Sequence, residues 1–242
     1  MNEPRRQFGS VAQTGGVAID EGLRQYMLGV YNYMALAVAA TGFVSMLLAS
    51  NEALMIQIAT TPLKWLAFGG IVVIGMFVAP RVIFSGSKIA AHAVFWVYAA
   101  LWGLLIAPML YSFQQTGAAM DIYRAFFISA SVFGATSLYG YTTKKDLSSW
   151  GSILGITGIV LLVGLVVQTL FFQSDMMSLA LSSIIVVFIS VVTAYETQMI
   201  KSMYREGSST NDRAAIFGAF ALYGSFVTLF VHILNILGIM RD

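Results

Sequence analysis

Val191-Val192-Thr193-Ala194-Tyr195-Glu196-Thr197-Gln198-Met199-Ile200-Lys201 closes an apolar run that begins near Met176. The run is long enough to cross a bilayer, which takes about 20 mostly apolar residues. Glu196 sits inside it or at its edge. A carboxylate at that depth is expensive and marks a candidate functional site whose partner has to be found. The plainer reading is that Glu196 ends the helix and meets headgroup water.

The rest of the chain repeats the pattern. The 242 residues are 58% hydrophobic and 10% charged, with a mean hydropathy of +0.81. Soluble domains carry about 25% charged residues, so the composition is that of a polytopic membrane protein. Seven segments are expected to span, at 27–49, 63–84, 89–111, 122–142, 149–172, 176–198 and 214–240. Short polar breaks separate them, so neighbours should be antiparallel. The expected fold is an all-α membrane protein with seven transmembrane helices in a single domain, 27–240. A polar segment, 1–26, precedes it. That segment lacks the apolar core of a signal peptide, and the first span is expected to act as its own insertion signal.

Charge sets the expected orientation. Arg5, Arg6, Arg24, Arg81, Lys88, Lys144, Lys145, Lys201, Arg205 and Arg213 fall on one side, against Lys64, Arg124 and Arg241 on the other. Basic residues favour the cytoplasmic side. The N-terminus should therefore face the cytoplasm and, after seven spans, the C-terminus the outside. A net charge of +2 gives no reason to expect a nucleic-acid partner, and the absence of cysteine removes disulfides and thiolate metal sites.

Several local features bear on packing and chemistry. Gly151 and Gly155 form a GxxxG pair that permits close helix approach. Pro80 should kink or end the second span, and Pro108 the third. Either break would mark a cavity or an ordinary helix end. Arg81 lies at about the depth of Glu196 and is either its partner or a headgroup anchor. Ser225, Thr228, His232 and Asn235 share one face of the last span, which should turn inward or toward a water-filled cavity. His232 is either a pH sensor or, more ordinarily, a neutral bonding partner between helices. The turn Thr142-Thr143-Lys144-Lys145-Asp146-Leu147-Ser148-Ser149 reads as a hairpin in which Asp146 or Ser148 caps the next helix.

With these residues in view, the chain resembles the Bax inhibitor family in its bacterial branch, from about Gly22 to Ile239. The most specific stretch is 137–149, followed by 194–201. Weaker likeness lies at 30–36, 95–101 and 221–230. The resemblance implies seven helices with the last surrounded by the other six. It also implies a pH-sensitive calcium leak, in which two aspartates on the sixth and seventh helices share a proton and an arginine of the second pairs with them on opening. Here those positions fall on Glu196, Ser225 and Arg81. The second carboxylate is missing. Two touching carboxylates do not readily ionise together, and Glu196 facing Ser225 lacks that coupling. Glu196 with hydroxyls and carbonyls is also a weak calcium site, because calcium takes 6–8 oxygens.

The leading expectation is therefore an ion-leak protein of a bacterial inner membrane, calcium-permeable, with altered pH gating and no cofactor. Thr228, His232 and Asn235 would line its pore. The alternative is a non-transporting partner of a membrane-bound ATP-dependent protease, as the resemblance implies for some relatives. An intramembrane hydrolase using Ser225 and His232 is disfavoured. Seven residues on one helix separate them by about 10 Å, so no enzymatic activity is expected. No phosphate loop or nucleotide signature supports an ATP-driven pump.

Overall fold

The computed structural model describes residues 21–241, so the expected polar segment lies outside the described residues up to position 20. Helix α1 is Glu21–Ala49 and α2 a short Glu52–Thr60. Helices α3 (Leu63–Val73) and α4 (Ala79–Ser85) join through a π turn at Ile74–Val78 into one rod. Then come α5 (Lys88–Gln115), α6 (Ala119–Thr142), a 3-10 turn (Ser148–Trp150) and α7 (Gly151–Phe171). Helices α8 (Asp175–Met203) and α9 (Asn211–Arg241) complete the chain.

This is an all-α membrane protein. Among the described residues, six of the rods are long and apolar enough to cross a bilayer: α1, α3–α4, α5, α7 with its 3-10 turn, α8 and α9. Helix α6 has the length, 24 residues, but Arg124 and a series of serines and threonines lower its hydropathy. Its Asp121 is buried and takes a hydrogen bond from Arg124 at 2.7 Å. Helix α2 was not expected. It is nine residues long, and Asn51 caps it by accepting from Leu54 N–H at 3.0 Å.

The prolines do not end their helices. At Pro80 the chain lacks an N–H, and its ring would crowd the carbonyl four residues back. The π turn just before it widens the helix, with Ala79 N–H bonding the Ile74 carbonyl, and the rod runs on to Ser85. Pro108 lies inside α5, which continues to Gln115. Helix α5 then closes with Gly117 at φ 72° and the Ala118 N–H on the Phe113 carbonyl at 2.8 Å, a left-handed cap that glycine adopts without strain.

Helix α9 is the axis. Two thirds of its apolar window is buried, 67%, against 0% for α7. It packs on α1, α4, α5, α6 and α8. The enclosure by all the other rods is incomplete, since α7 packs on α8 and the 3-10 turn before it instead. Thr41 of α1 fastens the centre: its hydroxyl bonds Tyr223 OH at 2.6 Å and the Ala99 carbonyl at 3.1 Å, joining α1, α9 and α5.

Polar contacts gather the basic residues at one end. Lys88 pairs with Asp212, Arg213 donates to the Phe84 carbonyl at 2.8 Å, and Lys201 to the Tyr141 carbonyl at 2.9 Å. Arg241 meets the Thr116 carbonyl at the opposite end, at 3.3 Å. In the turn before α7, Asp146 accepts from Ser148 N–H at 2.9 Å, which holds its carboxyl below the usual carboxylate range. The contribution of that bond is present above the ordinary carboxylate pKa and is lost as pH falls through the lowered value.

The glycines divide sharply. A methyl group on Gly140 would collide with the Ala194 backbone, whereas one on Gly155 meets nothing within 4 Å. Gly140→Ala should therefore force α6 off α8 and destabilise the protein by roughly 1–3 kcal/mol or more. Gly155→Ala should be neutral or stabilising by up to about 1 kcal/mol through helix propensity. Thermal unfolding of the two variants in one detergent checks this, and equal midpoints would contradict the packing described.

Candidate functional site

Glu196 lies on α8 and Ser225 on α9, and the two meet. The Ser225 hydroxyl donates to Glu196 Oε2 at 2.6 Å. Ser225 is buried, 4% exposed, whereas Glu196 is half-buried because it faces a cavity. That cavity, about 480 Å³, lies between the α3–α4 rod, α7, α8 and α9. Its wall is mostly apolar, with Glu196, Ser225, Thr228, Tyr98 and Tyr195 as polar exceptions.

The space exists for local reasons. Helix α7 packs mainly against α8, so the gap between it and the α3–α4 rod stays open. Gly75 and Met76 of the π turn and Pro80 form one wall, and Gly151, Gly155 and Gly158 of α7 form part of another. The proline's wide turn thus borders a cavity. The GxxxG pair works differently from the close approach expected of it. Gly151 makes room for the Tyr195 hydroxyl, while Gly155 faces empty space.

The remaining residues of the polar stripe separate by role. Thr228 lines the cavity and donates to its own helix, to the Gly224 carbonyl at 2.8 Å. His232 Nδ1 bonds Ser182 Oγ at 3.1 Å. Asn235 donates to Ser178 Oγ at 3.0 Å and to Ser182 Oγ at 2.9 Å. His232 and Asn235 therefore join α9 to α8 and do not line the Glu196 cavity. Ser225 and His232 each bond a different residue of α8, so they form no nucleophile–base pair.

Arg81 is placed apart from this site. Ala79 and Ile83, both 0% exposed, turn one face of α4 inward. Arg81, halfway between them on the helix, points the other way and is exposed. The ion pairs among the described residues are Arg24–Glu21, Lys88–Asp212 and Arg124–Asp121. Arg81 and Glu196 are thus outside ion-pair distance in this structure.

The sequence from residue 23 to 242 matches the family described as "Inhibitor of apoptosis-promoting Bax1". The chain belongs to the Bax inhibitor family. Among its relatives is "Uncharacterized protein RP147" of Rickettsia prowazekii, 39% identical over 92% of this chain and 93% of the relative. A protein of Deinococcus radiodurans is 36% identical over 96% of this chain and 97% of its own length. "Inner membrane protein YbhL" of Escherichia coli K12 is 32% identical over 91% and 94%. This family member is an integral membrane protein, and its likeness to YbhL supports the inner membrane as its location.

Sequence reasoning passed over two groups that the fold brings to light. The Tyr98 hydroxyl sits beside Gly224 and Gly75, whose lack of side chains leaves room for it at the cavity. Tyr31, Ser137 and Thr197 form a hydroxyl chain across α1, α6 and α8, with links of 2.7 and 3.0 Å. All three lie in stretches of family likeness, 30–36, 137–149 and 194–201, but nothing in the sequence joins them into one chain.

Bonds between membrane helices contribute about 0.6–2 kcal/mol each. Asn235→Ala should accordingly lower stability by about that amount, and His232→Ala by a similar or smaller amount. The double variant should cost less than the sum, because both side chains share Ser182. A thermodynamic cycle measured by denaturant titration in micelles tests this, and strict additivity would argue against the shared serine.

Proposed function

We propose that this protein is a cation leak, permeable to calcium, whose closed form is latched by the Ser225–Glu196 hydrogen bond. The observation that carries the reading is the 2.6 Å bond between a carboxylate of α8 and a hydroxyl of α9 beside a cavity. Rotating the Ser225 hydroxyl away frees Glu196 to meet a cation. Glu196 supplies two oxygens and Ser225 one, short of the 6–8 that calcium prefers. Such a site passes calcium and holds it weakly. Arg81 stabilises the freed carboxylate once the α3–α4 rod rearranges.

The second carboxylate implied by the family resemblance is replaced by Ser225. Without a like-charged neighbour, the two-step coupled titration of a carboxylate pair is absent. The pH response of this member is accordingly blunted. The proposed topology has seven crossings, α6 included, in the bacterial inner membrane. The N-terminus is cytoplasmic, the C-terminus periplasmic, and the cluster of basic residues faces the cytoplasm.

A second reading is favoured by the same serine. In that reading, a member without the carboxylate pair binds a membrane-bound ATP-dependent protease and does not transport. Co-purification of such a protease with the tagged chain, together with vesicles that carry no flux, would select it.

Calcium entry into proteoliposomes at pH 6 and pH 8 decides between the two. Wild type should leak above empty vesicles with a shallow pH dependence. Glu196→Gln should change the rate. Ser225→Asp should steepen the pH dependence, by about tenfold in the ratio of rates for each unit of pKa coupling restored. No calcium entry in any of the three would overturn the leak.

A further inference from the structure

The turn between α6 and α7 does more than reverse the chain. Outside α8, with α6 on one side and the turn that ends in Trp150 on the other, lies an apolar groove of about 700 Å³. Val132 and Ala135 of α6 and Val186, Val187 and Val191 of α8 form its walls. Val187 is 67% exposed, so this wall faces whatever surrounds the bundle. At the basic end the groove adjoins a polar cavity of about 350 Å³. Lys145, Asp146 and Tyr195 line both spaces, and Lys144, Ser148 and Gln198 line the polar one.

The two spaces together have the chemistry of an amphiphile: an apolar slot that ends in a cationic polar chamber. Lys144 and Lys145 are exposed, and neither belongs to an ion pair among the described residues. Asp146 is the one carboxylate lining the chamber, and its Oδ1 already accepts from Ser148 N–H. Gln198 fixes the turn from α8, accepting from Leu147 N–H and donating to the Lys145 carbonyl, both at 2.8 Å. Tyr139 and Trp150 flank the mouth, about half exposed, and neither the phenol nor the indole N–H has a protein partner among the described residues. Aromatic rings of this kind sit at headgroup level, and basic pockets between membrane helices suit anionic headgroups.

We propose that this groove and turn form a binding site for an anionic phospholipid. One acyl chain lies along the α6–α8 wall. The phosphate meets Lys144 and Lys145, and Tyr139 and Trp150 donate hydrogen bonds at the mouth. The site adjoins the Glu196 cavity through Tyr195 and Met199, which line both, but it does not depend on ion conduction.

Native mass spectrometry of the full-length protein in detergent, titrated with phosphatidylglycerol or phosphatidylcholine, tests this. Wild type should retain phosphatidylglycerol preferentially. Lys144→Gln/Lys145→Gln should weaken that binding on the order of ten- to thirtyfold and abolish the preference. Lys64→Gln, at the other end, should leave both unchanged. Val187→Trp, which fills the slot, should reduce retention of both lipids. Lys145→Gln alone reads the same effect at smaller size if the double variant does not fold. Glycerol 3-phosphate at millimolar concentration should not displace the lipid. A preference that survives the double lysine change, or none in wild type, would overturn the site. Displacement by the free headgroup would make it a simple anion pocket instead.

Discussion

A carboxylate inside a lipid-embedded bundle must be given a donor by the protein, because hydrocarbon offers none. Here the donor is Ser225, and that requirement organises the centre. It demands that α9 run beside α8 with Ser225 facing Glu196. The remaining bonds, from His232 and Asn235 to Ser182 and Ser178, then fall into line toward the other end of the same seam. The seam is antiparallel and polar, and its register is set by hydrogen bonds. Apolar packing alone would leave that register loose, since lipid tails are as apolar as the side chains they replace.

Much of this was legible in the sequence, for physical reasons. Hydrophobic length sets where a chain enters and leaves a bilayer, so the expected spans agree with the observed helices to within a few residues at most ends. The spacing of 3, 4 and 3 along 225–235 correctly put four polar side chains on one stripe. Their partners were hidden because Ser178 and Ser182 look like ordinary small residues within an apolar run. Helix α2 was hidden because nine residues carry too little periodicity to stand out between two spans.

Three readings needed the third dimension. Glycine spacing says that a backbone can be approached, not that anything approaches it; Gly155 faces a void, while Gly140, not singled out by its spacing, carries the tightest contact between α6 and α8. Depth alone left Arg81 either a partner of Glu196 or a headgroup anchor, because pairing also depends on direction around the helix. Proline signals a missing hydrogen bond, and the chain can meet that loss by widening a turn instead of stopping.

That widened turn also governs azimuth. One residue on an α-helix is about 100° of rotation, and the π turn at Ile74–Val78 takes up an additional residue. Everything after it is turned relative to α3 by that step. Ala67 and Ile71 before it, and Ala79 and Ile83 after it, are all buried, so the two halves of the rod keep a common inward side across the dislocation. Straightening the turn into regular α-helix would break that phase match and swing the bearing of Arg81 by about a quarter of a circle or more. The rod is thus two cams on one shaft, and the widened turn fixes the angle between them.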